Sequence, residues 1–302
     1  MIDVHAHYYP DELLSRMRSL GSRSVLAVDC APSGQLTLDE RLSLLDETGI
    51  RRQVLSVGIL TPDFAASEAA IEAARLANDL YADVCHVHPS RFSAFGALPL
   101  PHVQAARLEL ERCLDRLGMV GITLGCSVAG QALDDPAFAP VFKDLDRRAA
   151  VVFLHPVGAA LGPQDLGLQW MVGPIFEDTI AALRLVLSGM TTRYPRVRFI
   201  VPHLGGALPF VLERIEFYVK LERDRGNPVR FEGSVRDHLR RFWYDTVNLH
   251  PAALHCARLS FGANRLLLGT DFPFQTRGSF CACVSYLRDF ADWGDAESLF
   301  KE

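Results

Sequence analysis

Two kinds of apolar pattern alternate along the 302-residue chain. The first is a short, nearly continuous apolar run rich in β-branched residues. Such runs cover Ile2–His7, Gln53–Gly58, Ser93–Leu98, Val120–Leu124, Val151–His155, Arg198–His203, Trp243–Val247 and Leu266–Thr270. Continuous hydrophobicity, as opposed to strict alternation, predicts parallel strands buried on both faces. The second kind is longer, with apolar residues every three or four positions, as on one face of a helix. It covers Leu38–Thr48, Ser67–Val84, Val103–Leu117, Pro136–Ala149, Glu177–Arg193, Leu208–Glu222, Pro251–Leu259 and Ser279–Ala291. Gly49 and Gly118 follow two of these stretches as stop signals. Asp135-Pro136 reads as an N-cap followed by a proline at the first helical position.

Eight alternations of strand and helix in a chain of this length predict an α/β fold, a (β/α)8 TIM barrel forming a single domain over residues 1–302. An open doubly wound sheet is the runner-up. Its dinucleotide-binding version is weak, because no G-x-G-x-x-G follows the first strand. Two connections are long. Tyr8–Thr37 is an insertion between the first strand and its helix, and Pro156–Pro174 follows the fifth strand. In a barrel both lie at the C-terminal face, where they could cover a site.

Composition then narrows the partners. The net charge is −5, with no basic run and no aromatic–basic interleaving, which argues against a nucleic-acid groove. No apolar stretch approaches the length of a membrane span, and Asp3, His5 and His7 interrupt the place where a signal peptide would be apolar. The seven cysteines are scattered, odd in number and without a C-x-x-C, so a reducing, cytoplasmic setting is expected.

The strand ends hold the chemistry. The first run ends His5-Ala-His7, the fifth Phe-Leu-His155-Pro, the sixth Val-Pro-His203-Leu-Gly-Gly and the eighth Gly-Thr-Asp271-Phe-Pro. In a barrel these meet at one end. Residues i and i+2 on a strand share a face, so His5 and His7 can address one ion. Imidazole with carboxylate suits zinc and other first-row divalent metals. A lone histidine is more often a hydrogen-bonded core residue, but four imidazoles and one carboxylate at four strand ends point to a metal site. His86 and His88 have the same spacing as His5 and His7. They follow a helical stretch, in a loop at the opposite face, and are read as exposed. His102, His238, His250 and His255 lack a strand end, although His250 follows the seventh strand and could line the pocket.

The ordered motifs I-D-V-H-A-H, F-L-H-P, P-H-L-G-G-A-L-P-F and L-G-T-D-F-P resemble the amidohydrolase superfamily. More narrowly, they resemble its metal-dependent decarboxylases of the aminocarboxymuconate-semialdehyde, γ-resorcylate and 6-methylsalicylate type. The resemblance implies that His5, His7, His155 and Asp271 bind one divalent metal ion, zinc first and manganese second, with His203 as the acid/base group beside it. Two-metal relatives end the fourth strand with a carboxylated lysine. Here that strand reads G-I-T-L-G, which implies a single-metal site. Arg214 matches an arginine that reaches a neighbouring subunit's substrate, implying a homodimer. The aminocarboxymuconate enzyme's second substrate arginine has no clear counterpart, and a terminal segment that closes the barrel end in relatives is expected to be shortened.

The implied reaction is non-oxidative decarboxylation of a small aromatic or muconate-type carboxylic acid, with Asp271 or His203 delivering the proton. The same residues could serve a hydrolase of an ester, lactone, amide or C–C bond, or a hydratase. Trp170 and Phe274 are expected to contact substrate, with Arg23, Phe176 and Phe272 as further lining candidates, and Gly205-Gly206 is expected to leave room for it.

Overall fold

The protein is described by a computed structural model covering residues 1–33, 36–159, 165–288 and 293–301. Eight parallel strands form a barrel: β1 (Ile2–His7), β2 (Arg52–Ser56), β3 (Phe92–Ala97), β4 (Gly121–Gly125), β5 (Val151–His155), β6 (Arg198–Val201), β7 (Trp243–Asp245) and β8 (Leu266–Leu267). The strands follow one another in chain order. The barrel closes through β1, where Val4 N–H donates to Leu268 O (2.9 Å), His7 N–H to Phe272 O (2.7 Å) and Asp271 N–H to His5 O (2.8 Å). The TIM-barrel expectation holds. Among the described residues no helix is long and apolar enough to cross a membrane.

A register irregularity in β1 matters for function. Its pairing with β2 shifts between Asp3 and Ala6. Ile2 and Val4 pack in the barrel interior with Val54, Phe95, Phe153 and Ile200. Beyond the shift, His5 faces the same interior, its ring 4.9 Å from that of Phe153. A bulge thus changes the phase of the strand, and an apolar floor gives way directly to a polar top. At the other end the terminal helix Ala296–Lys301 places Ala296 and Leu299 in the interior cluster. That end is therefore packed. A larger apolar layer lies between the strands and the surrounding helices.

Most helices match the pattern. Leu38–Thr48 starts with a capping box between Thr37 and Glu40 and stops at Gly49 in the left-handed conformation (φ 71°). Three expectations need correction. The stretch expected as one helix over Glu177–Arg193 is two, Gly173–Leu187 and Met190–Arg193. The break is at Gly189 (φ 78°), which lies so close to Arg230 O that a Cβ would be 2.4 Å from it. Asp135-Pro136 caps a 3-10 turn before the helix Ala139–Arg147. The helix from Ser67 continues to Val87, so His86 is in its last turn and His88 is its C-cap, not in a loop. His86 is exposed, and the remoteness of this pair from the strand tops stands. The last helix is described over Arg277–Arg288, and the rest of its expected course to Ala291 lies outside the described residues. The insertion after β1 contains the helices Asp11–Ser19 and Val25–Asp29.

Asp3 fastens the barrel seam. Fully buried, it accepts from His5 N–H (3.1 Å), Gln53 Nε2 (2.7 Å), Thr270 N–H (3.1 Å) and Thr270 Oγ1 (2.6 Å). Arg41 adds Nε to Gln53 Oε1 (2.8 Å) and Nη1 to His7 O (2.8 Å). Removing an acceptor that serves several buried donors leaves each unsatisfied. Asp3→Ala is therefore expected to lower unfolding free energy by about 3 kcal/mol, read as a lower urea midpoint; an unchanged midpoint would show that the seam does not depend on it.

Candidate metal centre and active site

Three imidazoles and one carboxylate meet at the top of the barrel. His5 and His7 come from β1, His155 ends β5, and Asp271 follows β8. One donor atom from each lies within 4.8 Å of all the others. His7 Nε2 is 3.2 Å from both His5 Nε2 and His155 Nε2, and 3.1 Å from Asp271 Oδ1, which is also 3.1 Å from His5 Nε2. Ligands at roughly 2.0–2.2 Å from a common ion are spaced about 3.0–3.5 Å from one another.

The opposite ring nitrogens explain why the cluster needs a cation. His155 Nδ1 is 2.7 Å from Pro156 O, a carbonyl that can only accept. Nδ1 therefore carries the proton and Nε2 presents a lone pair. His5 Nδ1 is 2.6 Å from Asp245 Oδ2, which fixes its proton the same way. His7 Nδ1 is 2.8 Å from Ser56 Oγ. Lone pairs and a carboxylate oxygen thus converge on one point, which is repulsive without a positive charge between them. Each imidazole is held from behind, as metal-ligating histidines are. Burial pushes His7 down to about 4 and His155 well below the usual range, so both are neutral at pH 7, as metal ligation requires. For His5, burial is outweighed by Asp245 and Asp271, which raise it to about 9. A cation at Nε2 competes with that second proton and leaves Nδ1–H on Asp245. The donor set thus fits one divalent first-row ion.

His203 lies beside the cluster. Its ring is 5.4 Å from that of His5, and its Nε2 is 3.9 Å from Asp271 Oδ2. Nδ1 is 2.7 Å from Asp178 Oδ2. Burial opposes its charged form, but Asp178, Asp271 and Asp245 outweigh this and hold it well above the usual histidine range. Both His203 and Asp271 lie just past their strand ends, with φ of 53° and 56°. Left-handed backbone at non-glycine residues costs about 1–3 kcal/mol each, and here it falls on the two groups nearest the opening. The side chain of His5 is 0% exposed, whereas Asp271 is 17% and His203 11% exposed. Solvent thus reaches the cluster along its Asp271–His203 edge.

Phe274 borders this edge, its ring 5.8 Å from His7 and 6.3 Å from Tyr9. Trp170 is half exposed and packs over Gly158, just beyond His155. Phe272 is buried in the core against Phe280 and under Arg41. Arg23 is exposed, as is Phe176 on the helix Gly173–Leu187. Arg214 is exposed on the helix Leu208–Asp224, its guanidinium 5.0 Å from the Tyr218 ring. Gly205 and Gly206 make close contacts in place of open space. A Cβ on Gly205 would lie 2.7 Å from Tyr244, and one on Gly206 (φ 63°) 2.2 Å from Ile175 O. His250 is exposed and caps the helix Pro251–Phe261, accepting from Ala252 N–H.

Asp178, Asp245 and Ser56 were missed by the sequence reading. Asp245 ends β7, and the strand-end criterion would have selected it had the strand not been drawn on to Val247. Asp178 is inside a helix and gives no local signal.

A sequence profile of the amidohydrolase family matches residues 2–301. The chain belongs to the amidohydrolase family. It is 30% identical to 2-amino-3-carboxymuconate-6-semialdehyde decarboxylase of Dictyostelium discoideum, over 90% of this chain and 81% of that one. It is 34% identical to γ-resorcylate decarboxylase of Rhizobium sp. (strain MTP-10005), over 86% and 81%. The crystal structure of a dihydroxybenzoic acid decarboxylase from Polaromonas sp. JS666, with bound manganese and the inhibitor 2-nitroresorcinol, superposes with a TM-score of 0.79 at 26% identity, covering 99% of this chain and 96% of that one. This amidohydrolase-family chain thus joins the fold of these enzymes to a His/Asp cluster able to hold a metal.

Metal analysis of the purified protein is expected to find about one divalent ion per chain. His155→Ala should lose it with little change in fold, since the site is not the core; two ions per chain, or an unchanged content in His155→Ala, would contradict the assignment.

Proposed function

We propose that the protein is a metal-dependent, non-oxidative decarboxylase of a small aromatic or muconate-type carboxylic acid. The observation that supports this most is the exposed Asp271–His203 edge, which sets two proton-handling groups beside a three-histidine cluster. The relatives, all three named as decarboxylases, favour this over hydrolysis at the same residues. His5, His7, His155 and Asp271 would hold the ion, zinc or manganese, the latter supported by the Polaromonas enzyme. When bound, a divalent ion supplies positive charge that binds and orients the substrate's carboxylate or phenolate oxygens.

The chain's own groups then manage the proton. Decarboxylation replaces the carboxylate on carbon with hydrogen. The carbon bearing the carboxylate takes a proton, the C–C bond breaks, its electron pair returns to the substrate's π system and carbon dioxide leaves. His203 Nε2 faces the edge and serves as donor, because Asp178, Asp271 and Asp245 keep the ring protonated. Asp271 is the alternative donor, but an oxygen engaged by a cation holds a proton poorly. Its second oxygen, the one nearer His203, would receive or relay the proton. Phe274 and Trp170 would bound the substrate on its apolar faces.

The homodimer belongs to this proposal. Phe176, Ile180 and Leu187 are exposed on one face of the helix Gly173–Leu187. Phe210, Arg214, Phe217 and Tyr218 share a face of the helix Leu208–Asp224. Exposed apolar faces of this kind mark interaction sites, and there Arg214 could reach a neighbouring subunit. A cytoplasmic location is part of the proposal too, supported by seven free cysteines.

Two experiments test these readings. Incubation with hydroxybenzoates and muconate-type acids is expected to release carbon dioxide from at least one. Asp271→Asn and His203→Gln should each lower that rate by about 100-fold or more. Ester or lactone hydrolysis without carbon dioxide would overturn the decarboxylase reading. Light scattering should give a dimer that Ile180→Glu with Phe217→Glu converts to monomer; a wild-type monomer would remove the proposed role of Arg214.

A further inference from the structure

The buried carboxylate of Asp178 belongs neither to the cluster nor to the edge, yet among the described residues it makes the one bond that fixes which way the His203 ring faces. The His203 backbone is secured independently, because its N–H donates to Asp245 Oδ1 (2.9 Å) and its C=O accepts from Gly206 N–H (3.0 Å). The ring is another matter. An imidazole turned by half a revolution about its Cβ–Cγ bond occupies almost the same volume, exchanging nitrogen for carbon at both positions. Packing alone does not distinguish the two orientations, but a hydrogen bond does. Among the described residues the polar partners of this ring are Asp178 Oδ2, at 2.7 Å from Nδ1, and Asp271 Oδ2, at 3.9 Å from Nε2. The second distance is too long to orient a ring.

Asp178 is itself fixed. It is 0% exposed, and its other oxygen accepts from the Cys126 thiol at 3.5 Å. Cys126 is anchored next to the cluster, its N–H donating to His155 O (2.8 Å). The helix bearing Asp178 is locked to the His203 turn by Ala207 N–H donating to Thr179 Oγ1 (2.8 Å) and by the close approach of Gly206 to Ile175 O.

We propose that Asp178 is a positioning residue for proton transfer: by accepting from Nδ1–H of His203 it fixes the orientation of the ring and aims Nε2 at the Asp271 edge. This rests on the reading of His203 as the acid/base group. A carboxylate can only accept at this position, so the proton is on Nδ1. An asparagine of the same shape carries no charge and can donate, which permits a turned ring or loss of the Nδ1 proton.

The test is Asp178→Asn in the zinc-loaded protein, with two readouts. The first needs no turnover. Nitrogen-15 NMR of the histidine side chains, with His203 assigned by its absence in His203→Gln, should show the proton on Nδ1 in the wild type and a loss of that signal in Asp178→Asn. A wild-type His203 protonated on Nε2 alone, or a signature unchanged in the variant, would overturn the proposal. The second is kinetic, with 2,6-dihydroxybenzoate as probe. The expected result is a fall in kcat of about 100-fold, with KM altered less than about threefold and metal content unchanged. A retained kcat, or a rise in KM alone, would contradict it. If the wild type does not decarboxylate any acid of the panel, the functional reading fails while the NMR result still decides the role of Asp178.

Discussion

The centre of this protein is organised by an electrostatic conflict. Pro156 O and Asp245 hold protons on the Nδ1 atoms of His155 and His5, so their Nε2 lone pairs turn toward the same point as His7 and Asp271. Lone pairs and a carboxylate oxygen about 3 Å apart in a buried place repel one another more strongly than they would in water. A cation among them relieves that repulsion, and the groups behind the imidazoles keep the arrangement from relaxing. The barrel supplies that rigidity, because the backing groups come from the end of β2 (Ser56), the end of β7 (Asp245) and the residue after β5 (Pro156).

The same logic separates structural from chemical duties along β1. Asp3 is spent on the seam, where it unites Gln53 and Thr270 with the strand's own backbone. The register shift just after it lets His5 follow Val4 into the barrel interior. Six residues thus provide floor, seam and two imidazoles of the cluster. Asp245 has a comparable double duty, since Oδ2 engages His5 while Oδ1 receives the backbone N–H groups of His203 and Val247. The His/Asp cluster and His203 are therefore registered to each other through one carboxylate.

The fold was legible because parallel barrel strands are buried on both faces and read as unbroken apolar runs. Strand order followed, as each connection contains a helix and a return to the next parallel strand. The His/Asp cluster was legible because its residues stand at or just past strand ends, where a polar residue interrupts an apolar run. What escaped were features that depend on approach in space. Gly205 and Gly206 were read as room for substrate, but they permit a ring and a carbonyl to come close. Phe272 was placed in the pocket, although its side chain turns into the core beneath Arg41. Asp178, within an ordinary amphipathic helix, becomes recognisable only when that helix docks on the His203 turn.

The account stands or falls on the ion's position. The most direct measurement is an anomalous-difference map from crystals of the manganese-loaded protein. One peak is expected, ligated by Nε2 of His5, His7 and His155 and by the carboxylate of Asp271, with His203 beside it and not bound. A peak elsewhere, two peaks at the barrel top, or His203 in place of one of the four would contradict it.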